Sequence, residues 1–389
     1  MSLPIKQTPI LKGKDAEKFL KEVNRDRTPE EKDQDIKNFK RAKKVYDSIG
    51  LNVLKSKPLE SIGFYTLSDE RAKNVSGTSP MKRAEMLVTG RCNFKCPYCR
   101  GFDNINADVG DIDFGIARET LGYWIDDKLE NIRFSGGEPT LYDRLPDLVK
   151  QCKEGGIKRI AISSNGSRDF SVYQELIDAG VNDFSISLDA CCASFGDKMA
   201  GVGGKWGKVA ENIKKLSERT YVTVGIVLTE DNVDDLVDIV TFAHNLGVAD
   251  IRIISAAQFN KLLNNCINIP QEILNAHPIL KYRVDHIAEG INVRGMKDSD
   301  CKKCYIAQDD SVVAGNEKGE AFFFPCVIAM REGIAPIGKV GANMKKERLA
   351  WVEKFNTYEN NTCRENCLDC IVQFNNKVES YQDSKKEIL

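Results

Sequence analysis

Three thiols stand together in the stretch Cys92-Asn93-Phe94-Lys95-Cys96-Pro97-Tyr98-Cys99, in the spacing CxxxCxxC, directly after the apolar run Met86-Leu87-Val88-Thr89. Three thiolates in one loop suit three irons of a [4Fe-4S] cube and leave the fourth iron open to a small ligand. A structural zinc site normally takes four nitrogen or sulfur ligands, and no histidine or fourth cysteine lies near this loop. A second set comprises Cys301, Cys304, Cys326, Cys363, Cys367 and Cys370, six thiols spread around a strand-turn-strand pattern and a following helix. The chain has 13 cysteines, an odd number in two groups plus singles. That is a poor disulfide framework and a better set of metal ligands in a reducing compartment. A zinc knuckle is the alternative for the second set. Cys152, Cys191, Cys192 and Cys266 have no ligand spacing and read as structural, with Cys191-Cys192 closest to the active side.

The first motif, with the aromatic Tyr98 just before its third cysteine, resembles the signature of the radical S-adenosylmethionine (radical SAM) superfamily. Ser135-Gly136-Gly137-Glu138-Pro139, at the end of the next apolar run, resembles that family's GGE motif. The resemblance implies a [4Fe-4S] cluster on Cys92, Cys96 and Cys99 and S-adenosylmethionine as the ligand of its open iron. Glycine lets backbone approach that ligand, and Glu138 has the charge to accept from its amino group. The resemblance also implies cofactor contacts at the ends of later strands, which here are Ser164 and Asn165, Ser187 and Asp189, and Thr229, beside Tyr98 in the cluster loop. Taken alone, these are turn and helix-cap residues.

The second set resembles the auxiliary-cluster domains called SPASM and twitch. The run CxxCxxxxxCxxxC of a full SPASM domain is absent, so one further [4Fe-4S] cluster is expected, and two in all. One relative's pattern maps onto Cys304, Cys326, Cys367 and Cys370, and another's maps onto Cys301, Cys304 and Cys326 with an open iron. The first is preferred because Cys367-Leu368-Asp369-Cys370 would otherwise be idle, with Cys301 and Cys363 as further candidates. The implied function is reductive cleavage of S-adenosylmethionine to a 5′-deoxyadenosyl radical that abstracts hydrogen from an amino-acid or peptide-like substrate. Modification of a nucleoside or nucleotide is the alternative, and an iron-sulfur sensor or scaffold is the non-enzyme reading. Relatives of this kind act on ribosomal peptides, protein side chains, aminocyclitols and purine nucleotides, and they draw electrons from a reductant such as flavodoxin or ferredoxin.

These motifs need a scaffold that brings strand ends together. From residue 85 to 257, short β-branched runs alternate with amphipathic stretches, the pattern of a parallel α/β sheet. Strands are expected at 85–89, 131–135, 157–163, 183–188, 221–228 and 250–255, with helices at 114–127, 145–154, 172–179, 206–217 and 233–246. Six such units fit the partial (β/α)6 TIM-like barrel of the family, in which binding groups sit at the C-terminal strand ends. Residues 1–84 are expected to form a helical extension, with helices at 14–23 and 29–49, residues 258–300 a connector, and residues 301–389 a small twitch-like α+β domain. Ala200-Gly201-Val202-Gly203-Gly204-Lys205 lacks phosphate-loop spacing and reads as a loop over the barrel mouth. His244, His277 and His286 are not expected to cluster.

The chain has 389 residues, with 56 basic against 57 acidic side chains. No global field therefore advertises nucleic acid or an anionic membrane. No apolar signal region opens the sequence and no run is long enough for a membrane span, so a cytoplasmic protein is expected.

Overall fold

The computed structural model describes Thr28 and residues 65–100, 110–260, 268–298 and 300–386. The helices expected at 14–23 and 29–49, and Cys266, lie outside the described residues.

Six parallel strands form the core of the sheet: β1 (Arg83–Thr89), β2 (Asn131–Gly136), β3 (Arg159–Ser164), β4 (Asp183–Ser187), β5 (Tyr221–Leu228) and β6 (Asp250–Ser255). They lie side by side in chain order. Helices follow the strands: α1 (Asp69–Asn74) precedes β1, then come α2 (Phe114–Asp126), α3 (Leu145–Glu154), α4 (Phe170–Ala179), α5 (Ala193–Ala200), α6 (Trp206–Ser217) and α7 (Leu236–Asn245). Ala84, Met86 and Val88 of β1, Phe134 of β2 and Phe184 of β4 are fully buried, as both faces of a parallel sheet demand. The expected α/β class and its six βα units are thus observed, with strand bounds shifted by no more than two residues.

The C-terminal segment does not build a sheet of its own. The strand β7 (Asp310–Gly315) pairs parallel with β1, Met86 facing Val313, so the hairpin β7–β8 (Ala321–Phe324) and the short β9 (Gly338–Lys339) extend the barrel sheet to nine strands. Val312 and Phe324 then share a small core with Leu87. A buried ion pair between Arg71 of α1 and Asp309, with Nε 3.1 Å from Oδ2, fastens the segment before β1 to the start of β7. Removing one partner of such a pair costs about 3–5 kcal/mol.

The expected connector contains two helices, α8 (Gln271–Ala276) and α9 (Pro278–Ala288). Asp250 at the start of β6 accepts from the amide of Ile279, 3.2 Å away, where a helix N-terminus favours negative charge. Further on lie α10 (Val327–Arg331), α11 (Met344–Lys354), α12 (Asn361–Asn366) and α13 (Asp369–Lys386). The histidines do not stay apart as expected: His244 Nδ1 lies 2.9 Å from His277 Nε2, because β6 returns the chain to α7 through α9. His286 instead pairs with Asp369, at 2.9 Å.

Candidate functional site

A cavity of about 380 Å³ opens at the C-terminal ends of the parallel strands. Cys92, Cys96, Cys99 and Tyr98 form one side, Gly136 and Gly137 the next, then Ser164 and Asn165, then Ser187 and Asp189. Residues as far apart in the chain as Cys92 and Asp189 meet here because each follows or ends a strand of one sheet.

The glycines explain how closely the cysteine loop and the loop after β2 approach. A Cβ on Gly136 would meet Thr89 O at 2.2 Å, and one on Gly137 would meet Arg91 O at the same distance. Gly136 also has φ +141, a region side chains avoid. Their amides are then drawn to the loop: Gly137 N donates to Thr89 O at 2.8 Å and Glu138 N to Arg91 O at 2.8 Å.

Glu138, expected to contact the cofactor, is fully buried behind the residues that line the cavity. Its carboxylate accepts from Asn165 N at 2.7 Å, from Ser164 Oγ at 2.9 Å, and from the amide and hydroxyl of Thr140 at 3.1 and 2.6 Å. Burial pushes its pKa up, and these four donors oppose that. Glu138 therefore fixes Ser164 and Asn165, which line the cavity. Asn165 Nδ2 then reaches Asn93 Oδ1 in the cysteine loop, at 2.8 Å.

Tyr98 and Asp189 are paired through the Tyr98 hydroxyl, while Val227 N donates to the other carboxylate oxygen at 2.7 Å. Burial raises the Asp189 pKa to about 6 and keeps the Tyr98 hydroxyl protonated. The pair locks the cysteine loop to the ends of β4 and β5. Ser187 is exposed to the cavity, whereas Thr229 is not among its lining residues. Asn232, which sequence reasoning missed, does the positioning there: its Nδ2 donates to Asp189 O at 3.1 Å and Val227 O at 2.9 Å, and its Oδ1 accepts from Thr229 N at 2.8 Å. The signal was an asparagine three residues after Thr229, able to bond its own turn.

In the second thiol set, Cys304, Cys326, Cys363 and Cys370 all neighbour Cys367. Burial drives the Cys367 thiol pKa up, and Cys304, Cys326, Cys363 and Cys370 push it further. Cys363 is raised to about 12 by burial and by Cys326, and Cys304 is raised by burial, Cys326 and Cys363. Cys370, one of the four expected ligands, also has contacts on its other side. It is 4% exposed, packs with Ile279, and lies 3.5 Å from Arg283 Nη2. Arg283 is held by Asp369, which also binds His286. Asp369 heads α13 and so places Cys370 beside this network. Cys301 lies in a core with Val75, Tyr305 and Phe374, against which Cys304 also packs.

Both groups are made of thiols with no histidine or carboxylate among them, a donor set that suits iron-sulfur clusters. Among the described residues, no three His, Cys, Asp or Glu side chains close on the point one metal ion would fill. Burial raises the pKa of Cys92, and that of Cys96 to about 12, so ligation must release protons. Of the remaining cysteines, Cys152 is buried in the core, Cys191 packs at its edge and Cys192 is exposed.

The same cavity reaches α10: Arg100, Arg294, Arg331 and Glu332 also line it, together with Ile328 and Met330. A second cavity, of about 710 Å³, shares Arg100, Ala257 and Arg294 with the first. No described helix is long and apolar enough to cross a membrane.

Residues 86–243 match the family model described as the Radical SAM superfamily. A Sulfurisphaera tokodaii protein named as a probable GTP 3′,8-cyclase is 27% identical over 207 residues, which is 52% of this chain and 64% of that protein. A Pyrococcus furiosus protein, named as a tungsten-containing aldehyde ferredoxin oxidoreductase cofactor-modifying protein, is 30% identical over 188 residues, 43% of this chain and 49% of that one. The chain thus spans less than two thirds of the length of these relatives. The crystal structure of Streptococcus suis SuiB, solved also with S-adenosylmethionine, covers 82% of this chain and 76% of its own, with a TM-score of 0.50 and 15% identity. At that identity the likeness is one of fold.

Proposed function

We propose, for a chain whose residues 86–243 belong to the radical SAM superfamily, that the protein reductively cleaves S-adenosylmethionine and abstracts a hydrogen atom from a carbon of its substrate. The observation that carries this reading is the single cavity bounded by the CxxxCxxC loop, Gly136-Gly137, and the polar ends of β3 and β4. When bound, a [4Fe-4S] cluster on Cys92, Cys96 and Cys99 supplies one electron that breaks a carbon-sulfur bond of S-adenosylmethionine, giving methionine and a 5′-deoxyadenosyl radical.

The chain's own residues bind and orient. Gly136 and Gly137 bring main chain against the methionine half of the ligand. Ser164 and Asn165, held by Glu138, and Ser187 offer polar contacts to the rest of the ligand. Asp189 and Tyr98 keep the loop and the strands in register, so that the cavity stays shaped and excludes water. Cys304, Cys326, Cys363 and Cys367 are proposed to hold a second [4Fe-4S] cluster beyond the substrate end. A flavodoxin- or ferredoxin-type reductant in a reducing compartment would supply the electron.

Two substrate readings stand. An amino-acid or peptide-like substrate is the one reached from the sequence, and a nucleotide is favoured by the names of the archaeal relatives. The test is anaerobic reconstitution of the full chain, followed by dithionite and S-adenosylmethionine. Release of 5′-deoxyadenosine supports the proposal. Its absence, under conditions where a positive control works, would favour an iron-sulfur sensor.

A further inference from the structure

The charged residues on the cavity wall divide unequally. Among the described residues they are Arg100, Arg294, Arg331, Asp189 and Glu332. Asp189 lies at the cofactor end, engaged by Tyr98 and by Val227 N. Glu332 is held by Arg100 through both carboxylate oxygens. That leaves Arg294 and Arg331 with no carboxylate partner in the wall.

Arg294 is positioned for a ligand. Its Nε donates to Ser255 O at 2.9 Å and its Nη1 to Asn366 O at 3.3 Å, which fixes a half-buried guanidinium between the end of β6 and the loop of Cys367. The same loop is clamped to it on the other side, where Gly295 N donates to Cys367 O at 2.9 Å. Burial lowers the Arg294 pKa, and Arg331, Arg283 and Arg100 lower it further against Glu332 alone. Arg331, the last residue of α10, is exposed. Its field reaches Glu85, but that buried carboxylate is already paired with Arg83 at 2.8 Å and accepts from Ser135 at 2.7 Å. Holding like charges around a half-buried guanidinium is unfavourable unless an anion joins them. The planar fork of arginine fits carboxylate or phosphate oxygens two at a time.

We propose that Arg294 and Arg331, on the wall of this cavity, form an anion subsite that takes the carboxylate or phosphate of the substrate, with Arg294 against the loop that carries Cys367. The Arg100–Glu332 pair closes its side between the cysteine loop and α10. This rests on the reading of the cavity as the radical site, and it adds a substrate class: the molecule acted on is an anion.

The test is calorimetric titration of the anaerobically reconstituted full chain, saturated with S-adenosylmethionine, using GTP, inorganic tripolyphosphate and N-acetylalanine as probes. At least one probe is expected to bind the wild type, and Arg294→Gln and Arg331→Gln should each weaken it about tenfold or more, the usual worth of a charge-assisted contact. Arg331 is exposed, so its variant keeps the fold even if Arg294→Gln does not. Binding of both phosphate probes and not of N-acetylalanine would mark a phosphate site, and the reverse would mark a carboxylate site. The proposal is overturned if no probe binds at millimolar concentration, if Arg331→Gln leaves binding unchanged, or if S-adenosylmethionine affinity falls in step, which would assign the arginines to the cofactor. Formation of 5′-deoxyadenosine by the wild type in the same preparation reports separately on the reaction itself.

Discussion

The amide of Asn165 donates to Glu138 Oε2 over 2.7 Å, joining the loop after β2 to the end of β3 through a fully buried carboxylate. The acidic side chain of the glycine-glycine-glutamate motif thus acts on the protein's own backbone.

Replacing Glu138 by Ala would strand the Asn165 amide and the Thr140 and Ser164 donors in a dry site. The expected loss of unfolding free energy is about 3 kcal/mol, with Glu138→Gln losing less because one carbonyl acceptor survives. Urea denaturation of the three proteins measures it. An Ala variant as stable as wild type would contradict this role.

The second thiol group yields a sharper choice. With both clusters assembled the chain should hold about eight irons. Cys363→Ser is expected to lower this to about four by removing the second cluster, while Cys370→Ser leaves about eight, because Cys370 lies against Arg283. Iron analysis and Mössbauer spectra read the difference. Loss of the second cluster in Cys370→Ser but not in Cys363→Ser would restore the ligand set suggested by the spacing alone.

Asp250 gives a pH signature. Burial raises its pKa to about 6, above the usual carboxylate value, so the folded state binds a proton that the unfolded state has released. Between pH about 4 and about 6 that contribution favours folding less as pH rises. His277, lowered to about 4 by burial and by His244, contributes in the opposite sense over a similar range. The clean measurement is therefore a difference. Relative to Asp250→Asn, which does not titrate, the wild type should lose of order 2 kcal/mol of stability between pH 4 and pH 7. A difference that stays flat with pH would show that Asp250 has an ordinary pKa.

Much of the barrel is legible in the sequence because each strand is a short apolar run between amphipathic helices, and β1, β2, β5 and β6 need no distant information. The first thiol loop is legible for the same reason, being one contiguous stretch. What the sequence does not show is decided by residues far apart. The surroundings of Cys370 depend on Arg283 and Asp369, 86 positions apart and joined only when α9 packs on α13. The His244–His277 contact likewise requires α9 to return along β6. Thr229 and Asn232 sit on one turn, and only the backbone path decides that Asn232 spans Asp189 and Val227.

The central claim is that the CxxxCxxC loop is the site of S-adenosylmethionine cleavage. Its most direct test is the yield of 5′-deoxyadenosine from the reconstituted wild type and from Cys92→Ala/Cys96→Ala/Cys99→Ala, each given dithionite and S-adenosylmethionine without oxygen. The account predicts product from the wild type and none from the triple variant, which should still hold about four irons on the second thiol group. Cleavage persisting in the triple variant would contradict it.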